Sequence, residues 1–111
     1  MASKFEIKTA KDGQFYFNLK AGNGEVILTS QMYKAKSGAI NGAESVRTNA
    51  DDDSLFERKV SSSDKPYFTL KAKNHQVIGK SGFYKSTAAM EKGIDSVKRS
   101  ATEARIEELL D

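Results

Sequence analysis

The chain repeats itself. Shifted by 51 residues, positions 5–50 fall on positions 56–101 without a gap, and 18 of the 46 pairs are identical. Phe5-Glu6 meets Phe56-Glu57, Tyr16-Phe17 meets Tyr67-Phe68, and Leu19-Lys20-Ala21 meets Leu70-Lys71-Ala72. Val26-Ile27, Ser30 and Tyr33-Lys34 meet Val77-Ile78, Ser81 and Tyr84-Lys85. Gly42, Ser45-Val46 and Ala50 meet Gly93, Ser96-Val97 and Ala101. A tandem duplication of this kind restricts the fold more than any other property of the sequence.

Both copies carry the same periodicities. Phe5 and Ile7 alternate with Glu6 and Lys8, and Phe15, Phe17 and Leu19 alternate with Tyr16, Asn18 and Lys20, the pattern of half-buried strands. Asp12-Gly13 and Gly22-Asn23-Gly24 are turn chemistry between them. A third strand is predicted over Glu25–Gln31 and over Gln76–Gly82. Its inward face is ambiguous, because Val26 and Leu28 compete with Ile27, which points to a bulge or to cover on both sides. Ala39, Ala43, Val46 and Ala50, with Met90, Ile94, Val97 and Ala101 in the second copy, recur at helical spacing. Gly42 and Gly93 lie on those same faces. Glycine inside a helix costs about 1 kcal/mol against alanine, so its presence in both copies implies a close neighbour. His75 replaces Gly24 in the second hairpin and reads as a turn residue with left-handed φ.

A unit of 46 residues is too small to bury a stable core alone. The expected fold is therefore α+β: two tandem βββα repeats sharing one antiparallel, about six-stranded sheet, with both helices on one face and pseudo-two-fold symmetry. Repeat one covers about 4–50, an acidic linker 51–54, and repeat two about 55–101. The tail 102–111 is predicted to be helical, with Ser100-Ala101-Thr102-Glu103 resembling a capping box. With both repeats in one chain, a monomer is expected.

Composition narrows function by exclusion. Cysteine is absent, which removes disulfides, thiolate catalysis and cysteine metal sites. No apolar run approaches the length of a membrane span, and the N-terminus has no apolar signal core, so a cytoplasmic location is expected. The net charge of +3 is a mild excess, and all of it lies in residues 54–111.

The repeated Val-Ile, Ser, Tyr-Lys, Gly, Ser-Val and Ala pattern resembles the YegP-like family of uncharacterised small bacterial proteins, defined by a domain of unknown function. The resemblance extends over nearly the whole chain in both copies, and Ile27–Ala50 is its most specific stretch. It implies tandem repeats, or two subunits, assembled around one sheet, and it carries no catalytic residue. The second repeat departs from the first at Arg58, His75 and Gly79, where the first has Ile7, Gly24 and Leu28.

Two constellations occur in both copies. Ser30, Tyr33 and Lys34, with Ser81, Tyr84 and Lys85, precede helix N-termini, where free N–H groups favour an anion. Alternatively, Ser and Tyr organise the strand-to-helix crossing and Lys is simply solvated. The sheet face away from the helices is expected to carry Tyr16, Lys20, Tyr67 and Lys71, along with Lys8 and Lys59. Aromatics among lysines on an open sheet can stack and hold single-stranded nucleic acid, and the same tyrosines would equally suit a protein interface. Neither constellation is a catalytic arrangement. His75 has no orienting partner nearby in sequence, and Asp51-Asp52-Asp53 lacks calcium-loop spacing. No cofactor, metal or membrane partner is expected. The reading is a small non-enzymatic binding or accessory module with no assignable ligand, its partner a small anion or a protein. The alternatives are weak, non-sequence-specific nucleic-acid binding through the open sheet face and, with least support, an enzyme.

Overall fold

The computed structural model describes residues 3–109. In chain order its elements are β1 (Lys4–Thr9), β2 (Phe15–Lys20), β3 (Val26–Thr29), α1 (Lys36–Asn49), β4 (Phe56–Val60), β5 (Pro66–Lys71), β6 (Val77–Lys80), α2 (Thr87–Glu103) and β7 (Arg105–Leu109). A 3-10 turn at Asp53–Leu55 leads into β4, with the Asp52 carboxylate accepting from the Ser54 N–H at 3.0 Å.

All the strands join one sheet in the order β4-β5-β6-β3-β2-β1-β7. Within each copy the strands form an antiparallel meander, and the two copies meet where β3 pairs antiparallel with β6. The pair at that seam is Thr29 and Lys80, which are counterparts across the duplication. The register shifts between Leu19 and Lys20 and again between Leu70 and Lys71. These irregularities resolve the ambiguous third strand: Ile27 and Leu28 are both buried while Val26 faces solvent. The hairpins are equivalent too. Gly13 and Gly24 have φ of 85° and 87°, and their counterparts Asp64 and His75 have φ of 61° and 70°. His75 is thus a left-handed turn residue, as its position implied.

Alternation places Phe5, Ile7, Phe17, Leu19, Phe56, Phe68 and Leu70 on one sheet face, all buried. The faces of α1 and α2 that read as apolar in the sequence, Ala39, Ala43, Val46 and Ala50 with Met90, Ile94, Val97 and Ala101, are buried in the same core. The helical glycines mark the closest approach. A Cβ at Gly42 would overlap the Tyr33 hydroxyl and lie 3.0 Å from Phe17 Cε2, and one at Gly93 would overlap the Tyr84 hydroxyl. Each tyrosine lies between its helix and the sheet, stacked on Phe17 or Phe68 at 6.5 and 6.2 Å between ring centroids.

Two expectations are corrected. The sheet has seven strands and is mixed, not six-stranded and antiparallel, because β7 lies parallel to β1. The tail is helical only through Glu103. Arg105–Leu109 are extended, and residues 110 and 111 lie outside the described part. Glu and Leu favour helix intrinsically, but β1 offers a row of backbone partners that a helix could not satisfy. Ile106 comes level with Phe5, Lys4 reaches Glu107 at 3.6 Å, and Lys36 at the start of α1 reaches Glu108 at 3.0 Å.

Candidate binding surfaces

The repeated Ser-x-x-Tyr-Lys segments sit where each third strand leaves the sheet. The Ser30 hydroxyl accepts from the Phe17 N–H at 2.9 Å and donates to the Gln31 carbonyl at 2.7 Å. Ser81 does the same with Phe68 and Gly82, at 2.9 and 2.8 Å. Each hydroxyl replaces a backbone carbonyl in the ladder as the strand ends, and both serines are buried. Tyr33 exchanges two backbone hydrogen bonds of 2.7 Å with Phe15, and the Tyr84 N–H donates to the Pro66 carbonyl at 2.8 Å. Burial pushes both phenols up, so they stay protonated at neutral pH. Lys34 and Lys85 are exposed. The start of α2 is capped from within, since the Ser86 hydroxyl accepts from the Ala89 N–H at 3.1 Å. The serine hydroxyl of each constellation is thus engaged inside the fold, its tyrosine ring is half-buried against the sheet, and its lysine is exposed. Two clefts of about 360 and 350 Å³ open on the surface, one of them lined by Ser30 and Ser81 at the seam. Neither contains Tyr33, Lys34, Tyr84 or Lys85.

The sheet face away from the helices is a charged surface. Strand alternation and register put Lys4, Lys8, Lys20, Lys59, Lys71, Lys80 and Arg105 there, against the carboxylates Glu6, Glu57 and Glu107. Tyr16 and Tyr67 are both half-buried on it, and Lys20 and Lys71 flank them one pleat beyond Asn18 and Thr69. Glu6 is the residue that sequence reasoning missed. Its side chain is only 4% exposed, and Lys20, Lys4 and Lys8 surround it at 3.1, 3.4 and 4.0 Å. Burial alone would raise its pKa, but the hydrogen bonds and charges of Lys20 and Lys4 outweigh burial, and the carboxyl titrates below its ordinary value of 4.5. The alternation of Lys4, Glu6 and Lys8 was visible in the sequence; the position of Lys20 opposite them depended on the hairpin register.

Phe83 was also missed. It is 57% exposed, packs edge-on against Tyr67 at 5.5 Å, and shares the Lys80 ammonium, which lies 5.1 Å from the Tyr67 ring and 5.7 Å from its own. The signal was available, because Met32 holds the same place in the first repeat and is also exposed. An apolar residue therefore stands outside the strand alternation in both copies.

The buried carboxylate makes a prediction. Glu6→Gln is expected to lower stability by about 1–2 kcal/mol at pH 7, since it leaves the lysines clustered around a neutral group. A carboxyl whose folded pKa is depressed stabilises above its unfolded pKa and loses that contribution as pH falls through the folded value. Urea unfolding of the two proteins should therefore differ at pH 7 and converge well below pH 4.5.

With the fold and surface in place, comparison with known proteins is direct. The model of a domain of unknown function, DUF1508, matches twice, over residues 10–57 and 61–108. The two matches are offset by the same 51 residues, but each unit starts after β1 or β4 and ends with the strand that follows its helix. The chain belongs to this family. Among its relatives, a UPF0339 protein of Acinetobacter baylyi is 57% identical over 109 residues, covering 98% of each chain. The UPF0339 protein YegP of Escherichia coli is 46% identical over 108 residues, covering 97% of this chain and 98% of its own. Two solution NMR structures share the fold. A UPF0339 protein of Shewanella oneidensis gives a TM-score of 0.92 at 50% identity, covering 99% of this chain and 93% of that one. E. coli YegP, a protein of unknown function, gives 0.93 at 45%, covering 99% and 95%.

Proposed function

We propose that this is a non-enzymatic binding module acting through the open sheet face, and that the ligand class this face fits best is single-stranded nucleic acid. The observation that carries the reading is the cluster of Phe83, Tyr67 and Lys80, an exposed ring and an ammonium on a face where cations outnumber carboxylates. A sequence-tolerant single-strand site needs a ring on which a base can stack and a cationic track for phosphates. The palindromic strand order supports a pseudo-two-fold axis between β3 and β6. A track across the sheet would then run over both copies, with the aromatic cluster on the β5–β6 side of the seam. The helix-start constellations compete poorly with this face, since their serine hydroxyls are hydrogen-bonded within the fold and their rings stack on Phe17 and Phe68.

The test is a titration with short fluorescent oligothymidines at several salt concentrations. Binding should weaken steeply with salt, and Phe83→Ala and Lys80→Ala should each weaken it further, by roughly 5- to 100-fold for the stacking residue. Salt-independent binding, or none at low salt, overturns the nucleic-acid reading.

A further inference from the structure

The two outer edges of the sheet are unequal. One is β7, which covers β1, whereas β1's counterpart β4 is uncovered and is itself the other edge among the described residues. The duplication places β4 on β1, yet the residues after α1 that correspond to β7 are those that enter and form β4 itself. The second copy is therefore left without the strand that closes the first.

We propose that the β4 edge pairs with the β4 edge of a second copy of this chain, antiparallel about a two-fold axis at Arg58. In this register Glu57 faces Lys59 of the other copy and Lys59 faces its Glu57, on the open face of the sheet. Opposite charges directly across a ladder are favourable. Val60, at 64% exposure the most exposed large apolar side chain of the described residues, comes level with Phe56 of the other copy. The two Arg58 side chains meet on the axis. Each is already neutralised, with Glu91 at 2.7 Å and Asp53 at 3.1 Å.

The same edge is poorly made for a strand like β7. The cations that receive β7, Lys4 and Lys36, correspond to Leu55 and Thr87, and the apolar Ile7 corresponds to Arg58. Self-complementarity, not resemblance to the closed edge, selects a second copy as the occupant. Five residues of ladder bury far less than a permanent interface requires, so the association is weak, with Kd on the order of 1 mM rather than 1 μM.

Sedimentation equilibrium of the ligand-free protein tests this, from about 10 μM to about 1 mM. The average mass should climb toward the dimer with concentration. Lys59→Glu, which sets Glu against Glu57, should hold the protein monomeric, and the charge exchange Glu57→Lys with Lys59→Glu should restore association. Both positions are at the surface, and unchanged amide spectra outside β4 would show that the fold is retained. A monomer at every concentration overturns the proposal, as does a dimer that Lys59→Glu leaves intact. No nucleic acid is present, so the outcome is independent of the binding reading.

Discussion

Replacing Gly79 by leucine, which would make the two copies identical at that position, is expected to cost about 3 kcal/mol or more, a large share of a small domain's stability. Gly79 is not at positive φ, so its backbone accepts a side chain. Space is what forbids one. A Cβ there would stand 2.6 Å from both Cγ and Cδ2 of Leu28, its own counterpart across the seam. Leu28 is almost fully buried, so it has nowhere to retreat. Two equivalent positions at the β3–β6 seam share one volume, and only one of them can hold a large residue. Leu28→Gly, conversely, opens a cavity and should cost about 2–5 kcal/mol. The decisive protein is the exchange, Leu28→Gly with Gly79→Leu, which returns one leucine to the shared space from the other side. Urea unfolding should find it well over 1 kcal/mol more stable than the sum of the single changes predicts. Simple additivity would show that the two positions do not share a volume.

Gly93→Ala is the second large effect, and its sign is the test. In an ordinary helix interior the change would stabilise by about 1 kcal/mol. Here the new methyl would overlap the Tyr84 hydroxyl and lie 2.6 Å from Tyr84 Cζ. The expected result is a loss of about 1–3 kcal/mol, with Gly42→Ala behaving alike against Tyr33 and Phe17. Tyr84→Ala destabilises in its own right, because the ring leaves its stack on Phe68. In that background, however, Gly93→Ala should become neutral or stabilising. Thermal unfolding of the four proteins gives the coupling. If Gly93→Ala costs the same with and without Tyr84, the ring is not what keeps the position glycine.

These two sites show which parts of the fold were legible. The duplication, the hairpins and the buried helix faces follow from local chemistry: period-two and helical alternation, and left-handed turn positions held by Gly13 and Gly24 in one copy and Asp64 and His75 in the other. Gly42 and Gly93 announce a close neighbour, and that neighbour is Tyr33 and Tyr84, members of the candidate anion constellations. Ser30 and Ser81 read identically as ligand groups or as ladder-completing acceptors, and only the hydrogen bonds separate the two.

What escaped were features set by distant partners. β7 is extended because β1, about a hundred residues earlier, needs a neighbour; nothing in Arg105-Ile-Glu-Glu-Leu109 carries that information. A periodic pattern is the same wherever it is cut, and the family's unit is matched from one strand later than the unit that alternation marks out. Strand alternation gave the placement of Tyr16, Lys20, Tyr67 and Lys71 on the face away from the helices. Its most constrained member, Glu6, depended on a register that brings Lys20 across from it.

The pairing of β1 with β7 also orders events in time. The opening strand of the sheet receives its second neighbour from residues about a hundred positions later, so during synthesis it must wait until β7 has emerged. Until then β1 stands as an open margin of the growing sheet, and the five residues of β7 act as a latch over it. Folding should therefore finish late and cooperatively, with a rate limited by this longest of loop closures.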